Sequence, residues 1–194
     1  MEHFYENIQG WFTFPTFYSQ IVTYSPSNSH FVEIGVWKGK SAAFMATEIF
    51  NSEKNIKFDC IDTWEGSEEH LDPNGGFFES DLLKDKDFLY KHFLKNIEPV
   101  KNIITPIRKP SLEAVKAYED DSLDFIFIDA AHDYENVLAD IKAWYPKIKK
   151  DTGVISGHDY SWCDDVKRAV HDFFDPLNLK VQETEGCWVI ANIN

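Results

Sequence analysis

An alternation along the chain constrains its fold more than any other feature. Short β-rich apolar runs recur, and stretches with apolar residues at helical spacing lie between them. The runs are His30–Val36, Ile56–Trp64, Asn102–Ile107, Leu123–Ala130 and Gly153–Gly157, then Leu179–Thr184 and Cys187–Asn192. The helical patterns are Ser41–Phe50, Ser111–Tyr118, Tyr134–Ile148 and Asp164–Phe174, and Ser41 stands where an N-cap belongs. This alternation predicts an α/β fold, a parallel sheet with helices on both faces. Only the Glu185-Gly186 turn separates the last two runs, so they are expected as an antiparallel hairpin at one edge.

Two segments fall outside the pattern. Residues 1–29 read as an N-terminal segment with one or two helices around Trp11–Tyr24, ending in SPSNS. Residues 30–194 form the main domain, with an insertion at 65–100. The insertion is polar and acidic, contains Pro73-Asn74-Gly75-Gly76, and turns helical from Asp87 to Asn96. So long an excursion reads as a lid over a binding site, or else as a solvated surface insertion.

Charge and composition exclude several classes. With 19 basic and 33 acidic residues the net charge is −14, a surface that repels phosphate backbones and anionic membranes. Nucleic acid and membrane are therefore not expected partners. No apolar run approaches the ~18–20 residues of a membrane span, and MEHFYENIQG lacks the basic start and apolar core of a secretory signal. Cys60, Cys163 and Cys187 are scattered without metal-ligand spacing, which fits reduced thiols and a cytoplasmic location. With 16 Phe, 8 Tyr and 6 Trp, some rings are candidates for lining a pocket rather than a core. The sequence leaves the oligomeric state, including a homo-oligomer, open.

In open parallel sheets, ligands bind outside the carboxyl ends of the strands. After the first run comes Glu33-Ile-Gly35-Val-Trp-Lys-Gly39-Lys-Ser41. Gly35 and Gly39 would let backbone approach a ligand at a helix N-terminus, or they form an ordinary tight turn. The spacing E-x-G-x-x-x-G matches neither the dinucleotide fingerprint nor a P-loop. After the second run, Asp62 is placed to accept hydrogen bonds from the vicinal hydroxyls of a ribose, or to cap a helix. Asp129-Ala-Ala-His132-Asp133 follows the fourth run, and Gly157-His158-Asp159-Tyr160 follows the fifth. Adjacent strands would bring these carboxylates and imidazoles together as a site for a hard divalent cation such as Mg²⁺ or Mn²⁺, or as a structural hydrogen-bond network.

The runs FVEIGVWKGKSA, FDCIDTWEGS and DFIFIDAAHDYENVLADIKAWYPKIKKDTGVISGHDY resemble a class I S-adenosylmethionine-dependent methyltransferase of the methyltransferase-domain-24 family, related to macrocin-type and catechol-type O-methyltransferases. The resemblance runs from about Ile8 to the C-terminal hairpin. It implies a Rossmann-like, seven-stranded, mostly parallel sheet with a reversed final hairpin. It implies S-adenosylmethionine as cofactor, with Glu33, Gly35 and Gly39 cradling the methionine part and Ser41 assisting. Asp62 would bind the ribose, Thr63 and Trp64 would border the adenosine, and Ser111 would contact the adenine. Asp129 would lie beside the methyl donor, and Asp129, His158 and Asp159 match the positions that hold a cation in metal-dependent relatives. Those relatives usually carry two acids after the fifth strand, where this chain has His158 first, and commonly a glycine where it has Lys109-Pro110-Ser111.

Methyl transfer from a sulfonium is an in-line displacement that needs chiefly positioning and charge matching. A hydroxyl acceptor must also lose its proton, for which His132 is the candidate base, its alternative being a helix-start histidine with no role. The expected activity is O-methylation of a small-molecule acceptor. The alternatives are metal-independent N- or C-methylation and a non-enzymatic module that binds cofactor or metal. The insertion, with Phe77, Phe78, Phe88 and Tyr90, would close over the acceptor, and Tyr160 and Trp162 would form the other wall.

Overall fold

The computed structural model describes residues 1–74 and 78–191. Phe77 of the expected lid and Asn192 of the last run lie outside the described residues. The strands are β1 (His30–Ile34), β2 (Lys57–Asp62), β3 (Ile104–Arg108), β4 (Phe125–Ile128), β5 (Val154–Gly157), β6 (Gln182–Thr184) and β7 (Cys187–Ala191). The helices are α1 (Pro15–Tyr24), α2 (Lys40–Ser52), α3 (Glu68–Leu71), α4 (Phe88–Asn96), α5 (Ser111–Ala114), α6 (Tyr134–Trp144) and α7 (Asp164–Phe174).

The strands form one seven-stranded sheet in the order β3-β2-β1-β4-β5-β7-β6. β1 to β5 are parallel, and β7 runs antiparallel to both β5 and β6. The expected Rossmann-like sheet with a reversed hairpin is what forms. Glu185 and Gly186 both take positive φ, 49° and 82°, as a two-residue hairpin turn matched to strand twist requires.

The central strands are buried on both faces, and their side chains alternate between two cores. On β4, Phe125 and Phe127 join the core beneath α1, α2 and α4, while Ile126 and Ile128 join the one beneath α6 and α7. Elements end where local chemistry stops them. Pro146 lies just past α6 and turns the expected end of that helix into a short 3-10 stretch, Tyr145–Lys147. The pattern at Ser111–Tyr118 resolves into the single turn α5 followed by 3-10 geometry at Val115–Ala117.

The N-terminal segment is built into the first core. Phe14, Phe17, Tyr18 and Val22 are buried there, and the N–H of Phe17 donates to Glu185 Oε2 at 3.0 Å. The insertion is also largely core. Leu82, Leu89, Phe93, Ile97 and Val100 bury into the same cluster, and Phe88 and Tyr90 pack against it. Its Gly66, Ser67 and His70, ahead of the proline turn, line a cavity over the strand ends.

Candidate functional site

β1 and β4 are neighbours whose following chains part to opposite faces, the place where such sheets open a crevice. A cavity of about 680 Å³ lies there, lined by residues that follow β1 to β5. That volume suits a nucleoside-sized ligand. Of the expected site residues, Gly35, Ser41, Asp62, Thr63, Ser111, Asp129, His132, His158 and Asp159 line it.

Glu33, Gly39 and Trp64 do not, and each has a packing reason. Gly39 takes φ +87° as the N-cap of α2, and a Cβ there would come 2.9 Å from the Phe93 ring, so its bareness admits α4. Trp64 is fully buried, packs at a tilt against Tyr90 and Phe93, and donates from Nε1 to the carbonyl of Trp37 at 2.9 Å. Glu33 is fully buried on β1, where its Oε1 accepts the hydroxyl of Ser41. Ser41 is therefore a first-turn residue of α2 tied to β1, not the helix cap. Burial raises the Glu33 carboxyl to about 8, against the Ser41 hydrogen bond and with the charge of Asp129 adding to it.

Two expected roles change character. Gly35, at φ +82°, is required by the neighbouring strand end, since a Cβ would stand 2.1 Å from the backbone oxygen of Asp129. Asp62 is a loop holder. Its Oδ2 accepts the N–H groups of Val36 at 2.9 Å and Trp37 at 3.0 Å, and its Oδ1 accepts that of Trp64 at 2.7 Å. Burial pushes this carboxyl up and those amides draw it back. With Oδ2 doubly occupied, Oδ1 is the oxygen left to meet a ribose hydroxyl.

The ends of β4 and β5 carry the charged cluster. His132 Nε2 lies 2.9 Å from Asp159 Oδ2, and Asp159 Oδ1 accepts from Trp162 Nε1 at 2.7 Å. His158 Nδ1 lies 3.1 Å from Asp159 Oδ1 and 3.9 Å from Asp129 Oδ1. Its Nε2 pairs with Thr13 Oγ1 at 3.0 Å. Burial pushes Asp159 up, yet the hydrogen bonds and charges of the two imidazoles outweigh it and hold the carboxyl well below its usual range. Burial raises Asp129 to about 6 despite the charges of His158 and His132. Asp129, His158 and Asp159 each offer a ligand atom within 4.8 Å of the others, so a cation would find two carboxylates and one imidazole. The hydrogen bonds among these residues also close the network without one.

Trp11 and Trp162, 60% and 61% exposed, stand at the cavity wall, and Trp162 takes the place expected of it. Tyr160 does not, because it turns into the second core and bonds His171 Nε2 at 2.7 Å. Sequence reasoning missed Thr13, Trp11, His70 and Asp140 as lining residues. Asp140 had a signal, a charge at helical spacing between the apolar Val137 and Trp144.

A family model described as a methyltransferase domain, methyltransferase-domain-24, matches residues 32–160. The chain belongs to this family. Its class is that of the S-adenosylmethionine-dependent methyltransferases. The uncharacterized protein y4gI of Sinorhizobium fredii is 24% identical over 157 residues, 81% of this chain but 16% of that protein's length. The O-methyltransferase NovP has the same fold, with TM-score 0.68 and 15% identity, over 93% of this chain and 79% of its own. CalS11, a TDP-rhamnose 3'-O-methyltransferase of calicheamicin biosynthesis, superposes with TM-score 0.60 and 16% identity, over 91% of this chain and 76% of its own.

The residues suit the family's cofactor. Asp129 and Asp159 gather acidic charge at the β4–β5 end, complementary to a sulfonium and an ammonium. The end near β3 instead offers Thr63, Ser111 and Asp140 to a ribose and a base.

Proposed function

We propose that this methyltransferase-domain-24 protein transfers the methyl group of S-adenosylmethionine to a hydroxyl of a small-molecule acceptor. The observation that carries the reading is His132 held by Asp159 at 2.9 Å on the cavity wall, beside Asp129. Bound S-adenosylmethionine supplies an electrophilic methyl carbon on a sulfonium. Asp129 meets that positive charge. Asp159 orients the His132 ring and stabilises it once protonated, as a carboxylate does for a general-base imidazole. Trp11 and Trp162 flank the acceptor space and keep water from it. NovP and CalS11, both described as O-methyltransferases, support the O-directed reading, and CalS11 supports a sugar hydroxyl as one acceptor to try.

A second reading rests on the compact donor set. Asp129, His158 and Asp159 would hold a divalent cation, which would lower the pKa of the acceptor hydroxyl. Among the described residues no helix is long and apolar enough to cross a membrane. The free thiols of Cys60, Cys163 and Cys187 support a cytoplasmic setting.

The test is turnover with isotope-labelled S-adenosylmethionine and a panel of sugar, nucleotide-sugar and phenolic hydroxyls, read by mass spectrometry. His132→Ala should lose turnover by roughly 10²–10⁴-fold while keeping affinity for S-adenosylhomocysteine. Unchanged turnover in that variant, or methyl groups found only on nitrogen or carbon, would contradict the reading. Loss of activity on chelation, restored by Mg²⁺ or Mn²⁺, would favour the cation.

A further inference from the structure

Asp159 takes a left-handed backbone, φ +60°, just past β5, so strand geometry does not set where its side chain points. Its partners set it. Oδ1 accepts from Trp162 Nε1 and lies 3.1 Å from His158 Nδ1, while Oδ2 lies 2.9 Å from His132 Nε2. His158 in turn is buried between the rings of Phe14 and Trp162, with centroids 4.8 and 5.1 Å away. That packing fixes the plane of the imidazole but not which edge faces Asp159, because the ring torsion is close to two-fold. A half-turn would present a ring carbon to the carboxylate and cut the chain of hydrogen bonds. On the far edge, Nε2 pairs with Thr13 Oγ1 at 3.0 Å. Gly186 stands beside it without a side chain, and its carbonyl already accepts the N–H of Tyr160 at 3.1 Å.

We infer that Thr13 is a positioning residue: through His158 and Asp159 it holds the His132 ring in place, and so makes the N-terminal segment a working part of the site. The inference rests on the reading of His132 as the base. Thr13 lies outside the residues that the family model matches. The span that carries it is braced on both sides, since Gln9 Oε1 accepts from Lys38 Nζ at 2.7 Å and Phe14 is fully buried. A hydroxyl can donate to Nε2 or accept from it, so Thr13 serves the cluster closed on itself and the cluster around a cation alike.

Thr13→Val keeps the side chain's shape and removes the hydroxyl, whereas Thr13→Ser keeps the hydroxyl. NMR of the full chain labelled with ¹⁵N-histidine reads the rings, each signal assigned by single histidine substitutions. Thr13→Val should move the ring-nitrogen signals of His158 and, through Asp159, those of His132, and Thr13→Ser should restore both. Turnover on a hydroxyl acceptor from the panel should fall roughly 10-fold in Thr13→Val, with KM for S-adenosylmethionine unchanged, and recover in Thr13→Ser. Unmoved His132 signals or parent-like turnover in Thr13→Val would overturn the inference. So would a loss that Thr13→Ser fails to restore, since bulk and not the hydroxyl would then matter. A parent that methylates no hydroxyl would instead contradict the O-directed reading, and the ring signals alone would then uphold or overturn the hold of Thr13 on the cluster.

Discussion

Glu33 on β1 is fully buried and accepts the Ser41 hydroxyl, and burial outweighs the hydroxyl hydrogen bonds, so the folded protein favours its protonated form up to about pH 8. In the unfolded chain a glutamate titrates near ~4.3. Between these values the folded state holds a proton that the unfolded state has released. The stability this group contributes is complete below about pH 4 and is lost as pH rises through about 8. Glu33→Gln, always neutral, should therefore gain on the parent in thermal midpoint as pH rises from about 5 to about 8. Parallel curves across that range would mean that Glu33 is not protonated in the folded protein. At this scale the sequence was legible in residue type and position. Asp62, Asp129, His132, His158 and Asp159 all follow strands and all reach the cavity. Their positions along the chain fixed where backbone lies, but not which way a side chain or a missing one faces. Hence Gly39 and Trp64 serve packing, and Asp62 serves the loop of Val36 and Trp37 before any ligand.

At the scale of elements, the period-2 runs and helical stripes carried the fold. The apolar alternation on β4 feeds both cores, and all seven strands form in the expected order along the chain. The insertion was harder to read, because its acidic composition hides a stripe of Leu89, Phe93, Ile97 and Val100 that closes the first core. A buried tie reinforces it. Lys38, 4% exposed, donates to Gln9 Oε1 at 2.7 Å and to Glu79 Oε2 at 2.5 Å, joining the loop after β1 to the N-terminal segment and the insertion. Phe93→Ala should cost about 3–5 kcal/mol of stability, the range for emptying a phenylalanine site in a packed core. Chemical denaturation measures it. A loss below about 1 kcal/mol would mean that this helix is a detachable cover.

For the whole molecule, the net charge of −14 and the placement of acids at the strand ends point the same way. A net charge this negative is expected to repel phosphate polymers, and the acidic end of the cavity is complementary to a small ligand carrying positive charge. The cavity has a charged end at β1, β4 and β5 and a hydrogen-bonding end between β3 and α6, which gives a bound molecule a direction. A crystal structure with S-adenosylhomocysteine tests this most directly. The homocysteine portion should lie against Gly35 and Asp129, with the ribose near Asp62 and Thr63 and the purine between Ser111 and Asp140. A ligand lying in the opposite sense, or bound away from these strand ends, would contradict it.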